Sequence, residues 1–188
     1  MRFVPLAVVL LFLAAPAAAQ RMDPAALQAA QRAAIAKLSA MDGVWRGTAW
    51  TITPNGRHDV VHTERIGPML DGSIKVIEGR AYNPDGSIGF NAFGIVSFDP
   101  ATKAYTLHSY AMGHSGDFAL DVRPDGYVWQ TPAGPGAIIR YTATIGKGTW
   151  REVGERIAGD APPMKIFEMN LRRVGDSRWP GADAVPMK

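Results

Sequence analysis

The chain has 188 residues, of which 47% are hydrophobic and 20% charged, and this balance is that of a globular protein rather than a disordered or fibrous one. Its formal charge of +3 comes from basic residues spread along the sequence, which argues against nucleic-acid binding. Cysteine is absent, so thiol nucleophiles, thiolate ligands and disulfides are excluded.

Residues 1–19 have the features of a secretory signal peptide. Arg2 forms a short basic head, an apolar run covers residues 3–13, and the small residues 17–19 make an A-x-A cleavage site. The apolar run is too short for a good membrane span, although an uncleaved anchor is the alternative. We therefore expect a mature chain that begins near Gln20, is periplasmic or secreted, and has no stable membrane insertion.

The segment 20–42 predicts one amphipathic helix. Asp23 is a suitable N-cap with Pro24 at the first helical position, and Gly43 ends the pattern. One stripe of the helix is apolar. It comprises Leu27, Ala30, Ala34, Leu38 and Met41.

The segment 43–178 predicts an all-β domain. Turn signals such as Pro124-Asp125-Gly126 recur about every ten residues between runs of β-forming residues. The predicted strands are 44–53, 58–67, 73–82, 88–98, 102–112, 116–123, 126–132, 136–145, 149–157 and 164–174. Hairpin-length connections make these strands neighbours in space, and so long a sheet tends to close and lose its edges. We expect an antiparallel up-and-down barrel of about ten strands, with a C-terminal tail at 179–188.

The stretch "GVWRGTAW" carries a resemblance to a known superfamily. A Gly43-x-Trp45 motif in the first strand, after a short helix and before a meander, is similar to that of the lipocalin-like, or calycin, proteins. More specifically, "LSAMDGVWRGTAW" and "GIVSFDPATKAYTLHSY" resemble a little-characterised bacterial lipocalin-like family. The resemblance covers about Leu38 to Val174 and implies a fold more than a function.

The resemblance also implies structural roles for three residues. It places Gly43 and Trp45 at the closed end of the barrel, and it implies that a basic side chain of the last strand crosses the indole face. Arg172 or Arg173 would be that side chain. Haem-binding relatives hold iron through a histidine late in the chain, and here no histidine follows His114. We therefore predict no cofactor and no metal.

Ten strands exceed the roughly eight whose side chains just fill a barrel, so a lumen should remain for a small apolar or aromatic molecule. The more apolar faces of the fourth, sixth and eighth strands should line it, while a few polar or aromatic groups of other strands give selectivity. The predicted ligand-binding residues are His62, Glu64, Phe90, His108, Tyr110, Phe118, Trp129 and Tyr141.

Several titratable residues allow other chemistries. His58, His62 and Glu64 alternate along one strand face, which suits a metal ligand pair, a polar contact in the barrel mouth or plain solvent exposure. Glu152 and Glu168 would have raised pKa values if they faced a dry lumen, whereas pairing with nearby basic residues on the outer face is the simpler expectation.

The sequence thus predicts an exported barrel that binds a small, largely apolar ligand. One alternative is a cofactor-free lyase, hydratase or isomerase that uses lumenal histidine and glutamate. Another is an inert envelope scaffold with a filled barrel.

Overall fold

A computed structural model describes residues 23–178, so the expected signal peptide at 1–19 and tail at 179–188 lie outside the described residues. The predicted N-terminal helix is confirmed. Helix α1 spans Pro24–Ile35 and begins where the Asp23 carboxylate accepts a hydrogen bond from the backbone nitrogen of Ala25. A 3₁₀ helix, Ala36–Met41, then leads into the barrel. Within the described residues, no helix is long and apolar enough to cross a membrane.

Ten strands follow, each within two residues of its predicted bounds. They are β1 Gly43–Thr53, β2 Gly56–Met69, β3 Ile74–Tyr82, β4 Ile88–Asp99, β5 Ala104–Ala111, β6 His114–Arg123, β7 Gly126–Pro132, β8 Ala137–Gly146, β9 Thr149–Ala158 and β10 Met164–Gly175. Each pairs antiparallel with its neighbours in sequence, and β1 pairs with both β2 and β10. The barrel is therefore closed, as the turn spacing predicts, and leaves no free sheet edge.

The helical segment closes one end of this barrel. Successive hairpins of an up-and-down barrel alternate between its two ends, so β1 begins at the same end as the hairpins after β2, β4, β6 and β8. At this end Ile35, Leu38 and Met41 of the helical segment join the buried core. The hydroxyl of Tyr105, near the start of β5, donates to the carbonyl oxygen of Ala34 at 3.0 Å. Among residues 23–178, the opposite end is formed by the hairpins after β1, β3, β5, β7 and β9.

Gly43 and Trp45 build the closed end, as expected. Trp45 is 1% exposed, and its Nε1 donates to the carbonyl oxygen of Met41 at 2.8 Å. Gly43 has a φ of +135°, and a Cβ there would lie 2.6 Å from Nε of Arg173. Both the backbone angle and the close contact therefore require glycine at this position. The motif fixes the turn from the helical segment into β1.

Among the described residues, cation–π contacts are found at Trp50, and the contact expected at Trp45 is not observed. Arg173 is opposite Trp45 in the register of β1 and β10, but its Nε donates to the carbonyl oxygen of Asp42 at 3.0 Å. Arg172 is exposed on the outer face. The Trp45 ring instead packs nearly perpendicular to that of Trp150, with 5.6 Å between ring centroids and 84° between ring planes. A guanidinium buried against Trp45 would lose its hydration, which is energetically costly, whereas a second indole carries no charge to desolvate.

An ion pair between a buried lysine and a partly exposed aspartate joins the 3₁₀ helix to the barrel wall. Lys75 of β3 is 1% exposed, and its Nζ donates to the carboxylate of Asp42, the residue that follows the 3₁₀ helix. Burial lowers the pKa of Lys75, while the bond to Asp42 opposes that shift. The pair therefore fixes the helical segment against the closed end at a cost in desolvation.

Candidate functional site

The barrel encloses a cavity of about 640 Å³ that extends from Met41 and Trp150 at the closed end toward the end without the helix. Its lining is mostly apolar and aromatic, with small side chains such as Ala49, Ala81 and Ala92 leaving the space open. Residues at the hairpin end, including His58 and His114, are exposed. The cavity is of the size that accommodates a small organic molecule.

Four aromatic side chains from successive and nearby strands form one wall of this cavity. Trp129 stacks on Tyr141 with 4.5 Å between centroids and 16° between ring planes. Phe118 meets Trp129 edge-on at 5.5 Å, and Phe167 meets Tyr141 edge-on at 5.9 Å. We call Phe118, Trp129, Tyr141 and Phe167 the aromatic wall.

His62 and Glu64 of β2 form a hydrogen-bonded pair on the cavity surface. Nε2 of His62 lies 2.8 Å from Oε1 of Glu64, and the two side chains are 7% and 11% exposed. With Glu64 ionised, His62 carries the hydrogen on Nε2 because a carboxylate only accepts. The carboxylate lies over Gly79 of β3, where a Cβ would come within 2.8 Å of Oε1. Gly79 therefore provides the space that Glu64 occupies.

Glu152 of β9 is a second carboxylate in the cavity. Its two oxygens accept hydrogen bonds from the hydroxyl of Tyr127 at 2.7 Å and from Nε1 of Trp129 at 3.0 Å. Burial raises the pKa of Glu152, although these two donors oppose the rise. The negative charge of Glu64 raises this pKa further, and His62 lowers it. The two carboxylates therefore belong to one electrostatic cluster, which we call the polar floor: His62, Glu64, Tyr127 and Glu152.

The tyrosines beside Glu152 are held in their neutral form. Burial, reinforced by the charge of Glu152, raises the pKa of Tyr141 to about 12. Burial likewise raises the pKa of Tyr127 well above its ordinary value, with Glu152 adding to the shift. Both phenols are therefore hydrogen-bond donors at physiological pH rather than charged groups.

Six of the eight predicted ligand-binding residues line the cavity. They are His62, Glu64, Phe90, Phe118, Trp129 and Tyr141. His62 also packs near Phe90, with 6.3 Å between ring centroids. His58 lies on the same strand face, as predicted, and its Nε2 lies 3.0 Å from Oδ1 of Asn83 at the open end. The described residues contain no cluster of three or more histidine and acidic side chains suited to a metal ion.

The lumenal placement expected for His108 and Tyr110 is wrong. On β5 the side chains of Leu107, Ser109 and Ala111 line the cavity, and alternation along the strand turns the intervening residues outward. Tyr110 is 54% exposed. Each face of this strand carries both polar and apolar residues, so the sequence pattern did not separate the two faces.

His108 takes part in a hydrogen-bonded chain on the outer face. Its Nε2 lies 2.9 Å from Oγ of Ser97, and its Nδ1 lies 2.7 Å from Oδ1 of Asp117. This connectivity is that of a serine-protease triad, but catalysis there also needs free backbone N–H donors for an oxyanion. The three residues lie on adjacent paired strands, whose backbone N–H groups serve the sheet. We therefore interpret these hydrogen bonds as a connection between neighbouring strands rather than as an active site.

Three members of the polar floor and the aromatic wall are missing from the predicted ligand-binding set: Tyr127, Glu152 and Phe167. The sequence favoured outward ion pairs for both Glu152 and Glu168, and this holds only for Glu168, which binds Arg151 and Lys165. A usable signal was present in β9, because Glu152 alternates with outward residues and shares a face with the buried Trp150.

Comparisons with known proteins support the fold and leave the family open. No family model matches the chain, and no curated protein matches it. Among solved structures, the chain is similar to that described as "Crystal Structure of Rv2717c from M. tuberculosis". The TM-score is 0.56 at 12% sequence identity, and the match covers 75% of this chain and 97% of the other. At that identity the likeness concerns the barrel fold alone.

Proposed function

We propose that this protein is an exported, lipocalin-like barrel whose lumen binds a small, largely apolar molecule. The observation that carries the proposal is the cavity of about 640 Å³, with its aromatic wall and its few polar groups. Ligand pockets typically combine such an apolar lining with a small number of oriented polar side chains. An inert scaffold would fill its barrel, so the cavity argues against that alternative.

The two parts of the cavity have different roles in this proposal. The aromatic wall offers stacked and edge-on rings for apolar contact with a ligand. The polar floor offers carboxylate and imidazole groups that would fix its orientation. The helix-Gly-x-Trp-meander arrangement and the barrel likeness support membership of the lipocalin-like superfamily.

A library of small aromatic and acyl compounds tests the binding function. Ligands that bind only the folded barrel should raise the melting temperature and quench tryptophan fluorescence, and Trp129→Phe should remove part of that quenching. Ala92→Trp would place an indole in the lumen near its open end and obstruct it, whereas Asn91→Trp places the same side chain on the exposed face of β4. We expect Ala92→Trp to abolish the ligand-induced shifts in melting temperature and Asn91→Trp to retain them. Unchanged shifts in Ala92→Trp would show that the compounds bind elsewhere.

Export is the second part of the proposal, and residues 1–20 support it by their composition. The expected mature N-terminus is at or close to Gln20, because residues 17–19 supply the small-residue cleavage site. Sequencing the N-terminus of protein purified from its native host tests this directly. Retention of Met1 in the folded protein would contradict export by a cleaved signal.

Acid–base catalysis in the lumen is a second candidate function. The observation that favours it is the convergence of the His62–Glu64 pair with the buried carboxyl of Glu152. A bound ligand identified by the library can be incubated with the protein in heavy water and followed by mass spectrometry. Deuterium uptake or conversion that disappears in His62→Ala would indicate a lyase, hydratase or isomerase. An unchanged ligand would indicate binding alone.

A further inference from the structure

The charges that line the cavity indicate which chemical class of ligand it would take. Glu64 and Glu152 are carboxylates, and no lysine or arginine lines the cavity in the part of the chain that the structure describes. Lys75, the buried lysine of β3, lies beneath the lumen and is bound to Asp42. An anionic ligand would therefore enter a cavity with no lysine or arginine to bind it.

The histidines that line the cavity do not offset the negative charge of its two carboxylates. The Nε2 atom of His62 is already engaged by Glu64, so a proton on that imidazole would serve the carboxylate first. His58 and His114 lie at the exposed end, where water screens any charge they carry. The inner half of the cavity thus contains acceptors and neutral donors.

The aromatic wall adds to the same preference. Aromatic rings have a negative π face, which attracts a cation and repels an anion. Trp129 and Tyr141 stack on each other beside Glu152, so a ligand cation can meet only the ring faces that are turned away from this stack. In a cavity of low dielectric constant, the rings and carboxylates act together on a ligand charge more strongly than they would in water.

Glu64 also has an unused acceptor. Its Oε1 is bound to His62, whereas its Oε2 is buried and accepts no hydrogen bond from the described residues. Leaving a buried carboxylate oxygen without a donor is costly. Rotation about the terminal torsion of a glutamate is soft, so a small turn would direct this oxygen toward a donor in the cavity.

We propose that the lumen selects organic amines, with the ammonium group near Glu64 and Glu152 and an apolar or aromatic body along the aromatic wall. This inference rests on the proposed binding function and narrows it to one ligand class. The ammonium supplies the donor that Glu64 lacks and the positive charge that the cavity lacks. The corresponding carboxylic acid would place a negative charge beside two carboxylates.

Three probes of equal length and shape test the inference on the wild-type protein. Phenylbutylamine, phenylbutanol and phenylbutanoate have the same number of carbon atoms and differ mainly in the charge of the head group. Isothermal titration calorimetry at neutral pH should show the amine binding about tenfold or more tightly than the alcohol, as expected for a hydrogen bond to a charged group. Phenylbutanoate should bind most weakly.

Isosteric variants locate the source of the preference. Glu64→Gln keeps an acceptor for His62 but removes the charge, and it should reduce the amine-to-alcohol preference to about threefold or less. Glu155→Gln is the matched control, because Glu155 lies on β9 outside the cavity lining and pairs with Arg140. It should leave the preference unchanged. Glu152→Gln provides a second lumenal variant should Glu64→Gln fail to fold.

The possible outcomes separate this inference from the function on which it rests. Binding of the alcohol with no preference for the amine, or tighter binding of phenylbutanoate, would overturn the amine inference and leave lumenal binding intact. A preference that survives both lumenal variants would also overturn it. Failure of all three probes to bind would count against the binding function itself for ligands of this size.

Discussion

Nε2 of His62 and Oε1 of Glu64 lie 2.8 Å apart on one face of β2, above a glycine of the next strand. This contact depends on Gly79, because a Cβ there would lie 2.8 Å from Oε1 of Glu64. We predict that Gly79→Ala displaces the carboxylate and lowers the free energy of unfolding by about 1–3 kcal/mol, as overpacking usually does. Urea denaturation measures the loss.

A double-mutant cycle tests whether Glu64 is the cause. In a Glu64→Ala background the carboxylate is absent, so Gly79→Ala should cost about 1 kcal/mol less than in the wild type. Equal costs in the two backgrounds would show that the glycine serves another purpose, and the described geometry of the pair would be wrong.

Trp45 should be among the most costly side chains to remove. It is 1% exposed, contacts Trp150 and donates to Met41, so Trp45→Ala should lower the free energy of unfolding by about 3–5 kcal/mol. Arg172→Ala is the comparison, because this exposed side chain should change stability by less than about 0.5 kcal/mol. A large loss of unfolding free energy in Arg172→Ala would instead support a cation–π contact between Arg172 and Trp45, which the described residues do not show.

Lys75 and Asp42 should respond unequally to substitution. Asp42→Asn leaves a buried lysine without its counter-charge and should cost about 2–4 kcal/mol of unfolding free energy. Lys75→Met replaces the buried ammonium with an apolar chain and leaves a carboxylate that is 33% exposed to water, so it should cost less. Thermal and urea unfolding of both variants compare them. A greater loss from Lys75→Met would contradict the burial of Lys75.

Glu152 and Glu168 should affect stability with opposite dependence on pH. Burial raises the pKa of Glu152 above its ordinary value of 4.5. Its contribution to stability is therefore complete below about pH 4.5 and is lost as the pH rises through the folded pKa. Urea unfolding should be measured from about pH 4 to about pH 8. Over this range Glu152→Gln should gain stability relative to the wild type as the pH increases.

Glu168 supplies the opposite case. Its hydrogen bond to Lys165, followed by that to Arg151, lowers the pKa of this carboxyl. Its contribution is present above the ordinary carboxyl pKa of 4.5 and is lost as the pH falls through the folded pKa. Glu168→Gln should therefore be less stable than the wild type at neutral pH, and the difference should close in acid. If the stability differences of the two variants from the wild type changed in the same direction with pH, the assignment of Glu152 to the lumen and Glu168 to the exterior would be refuted.

The strand order could be predicted from the sequence because it depends on local signals. Turn residues recur between β-forming runs, and because the connections are short, runs that are adjacent in sequence pair with each other. Closure followed from the number of strands. The helix start at Asp23 and Pro24 was equally local.

The facing of individual residues was harder to predict where both faces of a strand have similar polarity. On β4, β6 and β8 an apolar face marks the lumen, and Phe90, Phe118 and Tyr141 are placed correctly. On β5 both faces mix polar and apolar groups, and His108 was placed on the wrong side. Glu152 was missed because its partners are distant in sequence, so only the folded barrel brings them to its carboxylate.

The central claim is that the lumen holds a small molecule, and native mass spectrometry of the protein purified from its host tests it most directly. We predict a discrete added mass on the wild-type protein, retained in Asn91→Trp and absent in Ala92→Trp, whose indole obstructs the lumen, with the released compound identified as an amine with an apolar body. An unliganded mass for the wild type, or an added mass that persists in Ala92→Trp, would contradict the claim.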